Sequence, residues 1–218
     1  MDGDIAPLPE LLELARRHGA RLMVDEAHAT GAVGPGGRGT VAAAGLSGEV
    51  DVVMGTMGKA LGSYGAYVCA EPELVDLLVN SARSFIFSTA LPPSAAAAAS
   101  AALGILEAEP ELVERLQANA GTLRTALAAE GLNVGTSATQ VVPLEVGAAE
   151  ATMALCERAL RRGVFAQGIR PPTVPEGSSR LRFTVMATHQ EGELASAARE
   201  VGAAAGEVRL TAPRQLAA

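Results

Sequence analysis

The sequence is poor in the residues that mark several protein classes. It has no tryptophan, only four phenylalanines and two tyrosines, and 17 basic against 24 acidic side chains, for a formal net charge of -7. That balance, with no basic stripe and no interleaving of aromatic and basic residues, excludes nucleic acid and anionic membrane as the main partner. Cysteine is scarce too. Cys69 and Cys156 lie in apolar surroundings without a CxxC spacing, so they are expected as reduced core thiols of a cytoplasmic protein rather than as a disulfide framework. The histidines, His18, His28 and His189, stand in unrelated contexts, and no metal-ligand cluster is visible around them. Long hydrophobic runs are missing. The longest weakly polar stretch, 92–106, is mostly alanine; it falls short of the roughly 20 residues of a membrane span and reads as a helix of a soluble protein. The opening Met-Asp-Gly-Asp-Ile has neither the basic region nor the apolar core of a secretory signal.

What is present suffices for a folded core: 218 residues, 49% of them hydrophobic, allow one large domain or two small ones. Hydrophobic periodicity and breakers predict helices at 9–18, 41–45, 71–84, 94–109, 110–130, 149–162 and 191–207, and strands at 22–25, 51–54, 65–70, 140–146, 164–167 and 180–186. Interleaved strands and helices give an α/β architecture, and no internal repeat is visible. The run Gly34-Pro-Gly-Gly-Arg-Gly39 spells GxGxxG, yet it neither directly follows a strand nor opens a clear helix, which argues against a dinucleotide loop. Gly55 to Lys59 fails as an ATP phosphate loop, because Ala60 follows the lysine and Val53 occupies the first glycine position.

The stretch DVVMGTMGKALGSYGAYVCA, 51–70, sets a lysine among Gly55, Gly58, Gly62 and Gly65, between two short strands. The glycines predict a mobile, uncrowded connection. Lys59 is then either an exposed side chain in a glycine-rich turn or, in an apolar setting, an amine with a lowered pKa suited to a Schiff base. Upstream, the apolar run Leu22 to Val24 ends in Asp25. This places a carboxylate at the carboxyl end of a predicted parallel strand, where open α/β sheets bind ligands. Lysine and aspartate could form an ordinary ion pair. They are also the pair that pyridoxal 5'-phosphate (PLP) needs to act as an electron sink, one for its aldehyde and one for its ring nitrogen.

The segments MDGDIAPLPEL (1–11), LMVDEAHATGAVGPGGRG (22–39), TMGKALGSYGAYV (56–68), FSTALPP (87–93) and IRPPTVPEGSSRLRFTVMATH (169–189) resemble, in order and spacing, the α-oxoamine synthase family of fold-type I PLP enzymes. IRPPTVP favours the family's 8-amino-7-oxononanoate synthase branch over those making 2-amino-3-oxobutyrate, aminolevulinate or sphingoid bases. The resemblance implies the carboxyl-terminal part of an aspartate-aminotransferase-like large domain at 1–93, a bridging helix at 94–109 and a smaller α/β domain at 110–218. It implies Lys59 as the Schiff-base lysine and general base, Asp25 on the pyridine nitrogen and His28 on the ring oxygen. Thr56 would bind the cofactor phosphate, and Thr89, with Ser88, would reach a phosphate across a homodimer interface. Arg170, stiffened by Pro171 and Pro172, would grip the carboxylate of the amino-acid substrate, with Thr173 a further substrate contact.

By the same resemblance the reaction is a decarboxylative condensation of an amino acid, L-alanine, with an acyl thioester, pimeloyl-CoA or its acyl-carrier-protein equivalent. Met1 resembles an internal residue of an SMDGD-like segment. In the family, what precedes that segment supplies the first half of the large domain's sheet and the group that stacks on the cofactor ring. The chain is therefore expected to expose a sheet edge and an apolar face. The alternative reading is a fragment that acts only with a separate amino-terminal chain.

Overall fold

Val24 and Val53 organise the first sheet. In the computed structural model, which describes residues 1–208, strand β1 (Met23–Asp25) pairs in parallel with β2 (Val52–Thr56), Val24 beside Val53 and Asp25 beside Met54. Strand β3 (Ala66–Ala70) returns antiparallel on the other side of β2, Tyr67 opposite Gly55. Side chains alternate between the two faces of such a sheet. Val24 and Val53 pack with Leu8 and Val41, flanked by Leu22, Leu46 and Val50. Leu8 belongs to helix α1 (Leu8–Arg17), whose Leu12 is also buried and whose last turn carries Arg16 and Arg17, favourable at the negative end of the helix dipole. Val41 belongs to the short helix α2 (Gly39–Ala43). The opposite face, the one Asp25 shares, leaves Met23 62% and Val68 47% exposed, as the sequence predicts. Helices α3 (Pro72–Ser81), α4 (Arg83–Ile86) and α5 (Pro93–Ala108) follow.

The described residues divide into two compact units, Ala6–Glu114 and Met1–Ile5 with Arg115 onward. The division falls inside helix α6 (Glu111–Ala129), and the helix expected at 94–109 lies within the first unit. The second unit has an antiparallel sheet ordered β4-β6-β5 from β4 (Val141–Gly147), β5 (Gln167–Ile169) and β6 (Ser179–Thr184), with helices α7 (Ala149–Arg161) and α8 (Glu191–Val208). Leu127, Leu144, Leu155, Leu181, Val142 and Val201 are fully buried there. The tip Met1–Ile5 is held in this unit: Ala138 N–H donates to Gly3 O at 2.9 Å, and Asp2 pairs with the buried guanidinium of Arg180. Gly3, at φ +69°, has Val141 O 2.1 Å from where a Cβ would lie, so no other residue fits.

Several elements differ from the sequence reading, for local reasons. The helix expected over 71–84 breaks at Ala82, which is extended (φ -73°, ψ 103°), so Phe85 and Ile86 fall in or beside a second short helix. The strand expected at 164–167 begins at Gln167, because the exit of α7 uses the residues before it: Gly163 takes φ +85° and Val164 N–H bonds back to Ala159 O at 2.9 Å. Cys69 is exposed on β3 and Cys156 is half-buried, its Sγ donating to Ala166 O at 3.1 Å. Neither thiol is a core residue, and both are free.

An ion-pair cluster crosses from the end of α7 to α8: Arg162 donates to Glu200 at 2.9 Å and to Glu207 at 2.5 Å. The hydrogen bond from Arg162 holds the Glu207 carboxyl below its ordinary 4.5, and the same contacts raise Arg162 above its own ordinary value. A carboxyl with a lowered folded-state pKa stabilises the fold above its unfolded value, and that contribution is lost as pH falls through the folded one. Arg162 stays charged throughout the acid range and adds nothing to this slope. Urea denaturation followed against pH is therefore expected to show the parent chain more stable than Glu207→Gln at neutral pH, with the gap closing below about pH 4.5. A gap that does not vary with pH would contradict this reading.

Candidate functional site at the ends of two parallel strands

Asp25 is the last residue of β1 and Thr56 the last of its parallel neighbour β2. Adjacent strands lie about 4.8 Å apart, so the segments leaving these two strand ends emerge side by side. One is the turn carrying His28, and the other is the loop carrying Lys59. They touch: a Cβ on Gly31 would lie 2.8 Å from Ala60 Cβ, one residue past the lysine. The structure thus brings Asp25, His28, Thr56 and Lys59 to one end of one sheet.

The lysine loop is closed by its own hydrogen bonds rather than mobile. Met57 N–H donates to Gly65 O at 2.9 Å, Ser63 N–H to Met57 O at 2.8 Å and Gly62 N–H to Lys59 O at 3.0 Å. Ser63 Oγ donates to Ala95 O at 2.6 Å, fastening the loop to the first turn of α5. It is also more crowded than its glycines suggest. A Cβ on Gly55 would lie 2.4 Å from the Tyr67 hydroxyl, and one on Gly65, at φ +104°, 2.7 Å from Leu91. Of the four glycines only Gly62 has open space beside it, and a Cβ on Gly58 would make an ordinary contact, 3.5 Å from Thr56 Oγ1. Thr56 Oγ1 donates to Gly65 O at 3.0 Å and accepts Gly58 N–H at 3.1 Å. Its single proton serves the loop, and turning it to a phosphate costs the bond to Gly65.

Lys59 is exposed rather than set in apolar surroundings, and its amine has no hydrogen-bond or ion-pair partner among the described residues. It is also the only lysine in the chain. Asp25 is exposed as well, its Oδ1 accepting Ala27 N–H at 2.8 Å. The two do not neutralise one another, so the ordinary ion pair is not what the structure shows. Ser88 and Thr89 follow α4, both exposed, with Ser88 Oγ donating to Phe85 O at 3.3 Å. In the second unit, Arg170 follows β5, exposed, and Thr173 N–H closes a turn onto Arg170 O at 3.1 Å. The Pro171–Pro172 bond within this turn is cis, and Val174 beyond it is buried. Among the described residues no group of three or more His, Cys, Asp or Glu could hold a metal ion.

Sequence reasoning passed over the residue beside Asp25. Glu26 is 2% exposed, and its carboxylate accepts Thr40 N–H at 2.9 Å, Thr40 Oγ1–H at 2.9 Å and Val41 N–H at 2.7 Å. These are donors of the first turn of α2, which a carboxylate satisfies in both hydrogen bonding and charge. The run 34–39 is shaped for this carboxylate: Gly39, at φ +92°, would drive a Cβ to 2.7 Å from the Glu26 carboxyl carbon, and Gly37 is pressed against Gly31. The literal GxGxxG is a cradle for a buried glutamate, which agrees with rejecting it as a dinucleotide loop. A Glu next to the strand-end Asp, followed by a glycine run closing on Gly-Thr, is the signal that could have shown it.

Residues 1–201 match the family described as aminotransferase class I and II. The chain belongs to that family. Among curated members it is 55% identical over 199 residues to 8-amino-7-oxononanoate synthase of Geobacter metallireducens, covering 90% of this chain and 51% of the relative. A structure of SPT with a PLP internal aldimine superposes with TM-score 0.91 at 34% identity, covering 97% of this chain and 54% of that one. 8-Amino-7-oxononanoate synthase from Francisella tularensis superposes with TM-score 0.79 at 25% identity, covering 96% and 60% respectively. The chain spans about half the length of the curated relatives it matches. The α/β fold of this aminotransferase family is the one the sequence implies.

Gly39 tests the cradle directly. Gly39→Ala places a methyl group against a buried carboxylate at a backbone angle that L residues avoid, and is expected to lower unfolding stability by about 1–3 kcal/mol in urea denaturation. Gly36→Ala, at an open position, carries the backbone cost alone and is expected to lose less.

Proposed function

We propose that the chain forms the lysine-bearing part of a PLP-dependent C-acyltransferase that condenses L-alanine with a pimeloyl thioester, on CoA or acyl carrier protein, to give 8-amino-7-oxononanoate. It would work in the cytoplasm as a homodimer. One observation carries the reading: an unneutralised aspartate ending β1 and an unpaired lysine in the loop that leaves the end of its parallel neighbour β2. The relatives named 8-amino-7-oxononanoate synthase support the choice of reaction, and the PLP in the SPT structure supports the choice of cofactor.

The residues fit that cofactor by the chemistry of the donor set. Lys59 offers an exposed amine free of any ion pair, Asp25 keeps a carboxylate oxygen beyond the one bonded by Ala27, and His28 lies in the turn between them and Gly31. When bound, PLP supplies an electron sink for negative charge on the carbon being deprotonated. Lys59 would bind the aldehyde and, once released by the incoming amino acid, take the α-proton at Nζ as general base. Asp25 would hold a proton at the ring nitrogen by its negative charge, and His28 would hydrogen-bond the ring oxygen. Thr56 would bind the cofactor phosphate by turning its hydroxyl from Gly65 O, and Ser88 and Thr89 would serve the phosphate of the partner subunit. Arg170, with Thr173, would orient the substrate carboxylate by a two-pronged hydrogen bond. The relatives are about twice as long, so the full condensation is proposed together with the remainder of such a chain.

Because Lys59 is the only lysine, one internal peptide reports the site, apart from the amino-terminal amine. Incubation with PLP followed by borohydride reduction is expected to leave a pyridoxyl group on the peptide containing Lys59, detected by mass, and none on the corresponding peptide of Lys59→Ala. Asp25→Asn is expected to retain the label and to alter the pH dependence of the bound chromophore. A parent chain that carries no label on Lys59 would overturn the proposal.

A further inference from the structure

Behind the sheet, on the face opposite Asp25, a chain of hydroxyls joins the site's two arms. Tyr67 lies on β3, where the lysine loop returns to the sheet, and its ring reaches over Gly55, whose missing side chain leaves room for the phenol. The Tyr67 hydroxyl is 2.6 Å from Thr30 Oγ1, and Thr30 Oγ1 is 3.0 Å from Glu26 O. The directions of these bonds follow from proton count. A backbone carbonyl can only accept, so Thr30 donates to Glu26, and the Tyr67 hydroxyl therefore donates to Thr30. Each bond polarises the next, and both Thr30 and Tyr67 are half-buried.

Glu26 is fixed from every other side as well. Its N–H donates to Met54 O at 2.7 Å, continuing the pairing of β1 with β2, and its carbonyl also accepts Ala29 N–H and Thr30 N–H at 2.8 Å. Its carboxylate is held by α2. Asp25 precedes it and His28 follows within the same turn, so the placement of both depends on how that turn is held. None of Glu26, Thr30 and Tyr67 is on the face that Asp25 shares, which sets them apart from groups that would touch the cofactor.

We propose that the relay from Tyr67 through Thr30 to Glu26 is a positioning device, fixing the turn of Asp25 and His28 against the strand that ends the lysine loop. Its catalytic meaning rests on the reading of Asp25 and His28 given above. Its mechanical part does not. Gly55 follows from it, since any side chain there would expel the Tyr67 hydroxyl from the relay.

The test uses Tyr67→Phe and Thr30→Val, which remove one hydroxyl each at nearly constant shape, and Thr30→Ser, which keeps it. Amide hydrogen exchange at residues 27–31, in the chain without cofactor, is expected to quicken about fivefold to tenfold in the first two variants. Exchange in α1 of the same unit is expected to stay at the parent rate, and Thr30→Ser is expected to restore residues 27–31. With PLP bound, the pH at which the absorption of the bound cofactor changes is expected to move in Tyr67→Phe and Thr30→Val but not in Thr30→Ser. Unchanged exchange at 27–31, or equal quickening in α1, overturns the relay as a brace. Quickened exchange with an unmoved pH profile reduces it to a structural contact and overturns the positioning role. A parent chain that takes no PLP on Lys59 defeats the proposed function instead, and the exchange experiment still decides the brace.

Discussion

A carboxylate withdrawn from water must be met by donors on the protein, or it costs several kcal/mol of stability. Glu26 meets that demand with three bonds to Thr40 and Val41, across fourteen and fifteen positions of sequence. Hydrogen bonds to a charged acceptor contribute roughly 1.5–3 kcal/mol each, so the three together compensate the burial. The same bonds satisfy amide groups that a helix of five residues cannot satisfy itself. Much of the first unit's geometry follows from this arrangement. The chain must leave β1, loop out and return with the start of α2 against the residue it has just passed.

That return path explains residues which otherwise look like signals for something else. A loop folded back to within contact of its own origin has no room for side chains at its crossings, hence glycine at 31, 37 and 39. The cost of so much glycine is conformational entropy in the unfolded chain. Hydrogen bonding within the loop offsets it: Gly31 N–H to Gly37 O at 2.7 Å and Gly39 N–H to Val33 O at 2.8 Å. The lysine loop obeys the same logic with different closures, with tight passage at Gly55 and Gly65, whereas Gly62 takes a left-handed turn in open space. Treating glycine-rich segments as mobile fails here because each loop closes on its own backbone and is then tied to a remote element, Ser63 to Ala95 in one and Glu26 to Thr40 and Val41 in the other.

The placement of Asp25 and of the lysine loop at neighbouring strand ends was legible from sequence. Asp25 ends one apolar run and Lys59 lies in the loop after another, and parallel pairing of two such strands brings their carboxyl ends to one edge of the sheet. The support behind them was not. Thr30 with Tyr67 and Glu26 with Thr40 are pairings between common residue types, with no periodicity to join them. Burial was misread where it depends on position in a sheet: Cys69 has apolar neighbours in sequence but is exposed on the end strand β3, whereas Val24, among similar neighbours, lies under α1 and α2. The expected strand at 164–167 failed because hydrophobicity cannot separate a residue that ends a helix from one that begins a strand.

The two faces of the first sheet have different physical states, and the difference bears on the chemistry. One is covered, braced and hydrogen-bonded through Glu26, Thr30 and Tyr67. The other presents Met23 and Val68 to solvent beside Asp25. Parallel strands in α/β proteins are ordinarily buried on both sides, and an aspartate among exposed apolar side chains interacts with other charges through water. Water weakens such interactions severalfold relative to a protein interior. Any structure laid over Met23 and Val68 would therefore do two things at once: remove apolar surface from water and strengthen the attraction between Asp25 and a cationic ring. On the proposed reading of Asp25, the strength of that contact would depend on the cover, and its aim on the face braced through Glu26, Thr30 and Tyr67.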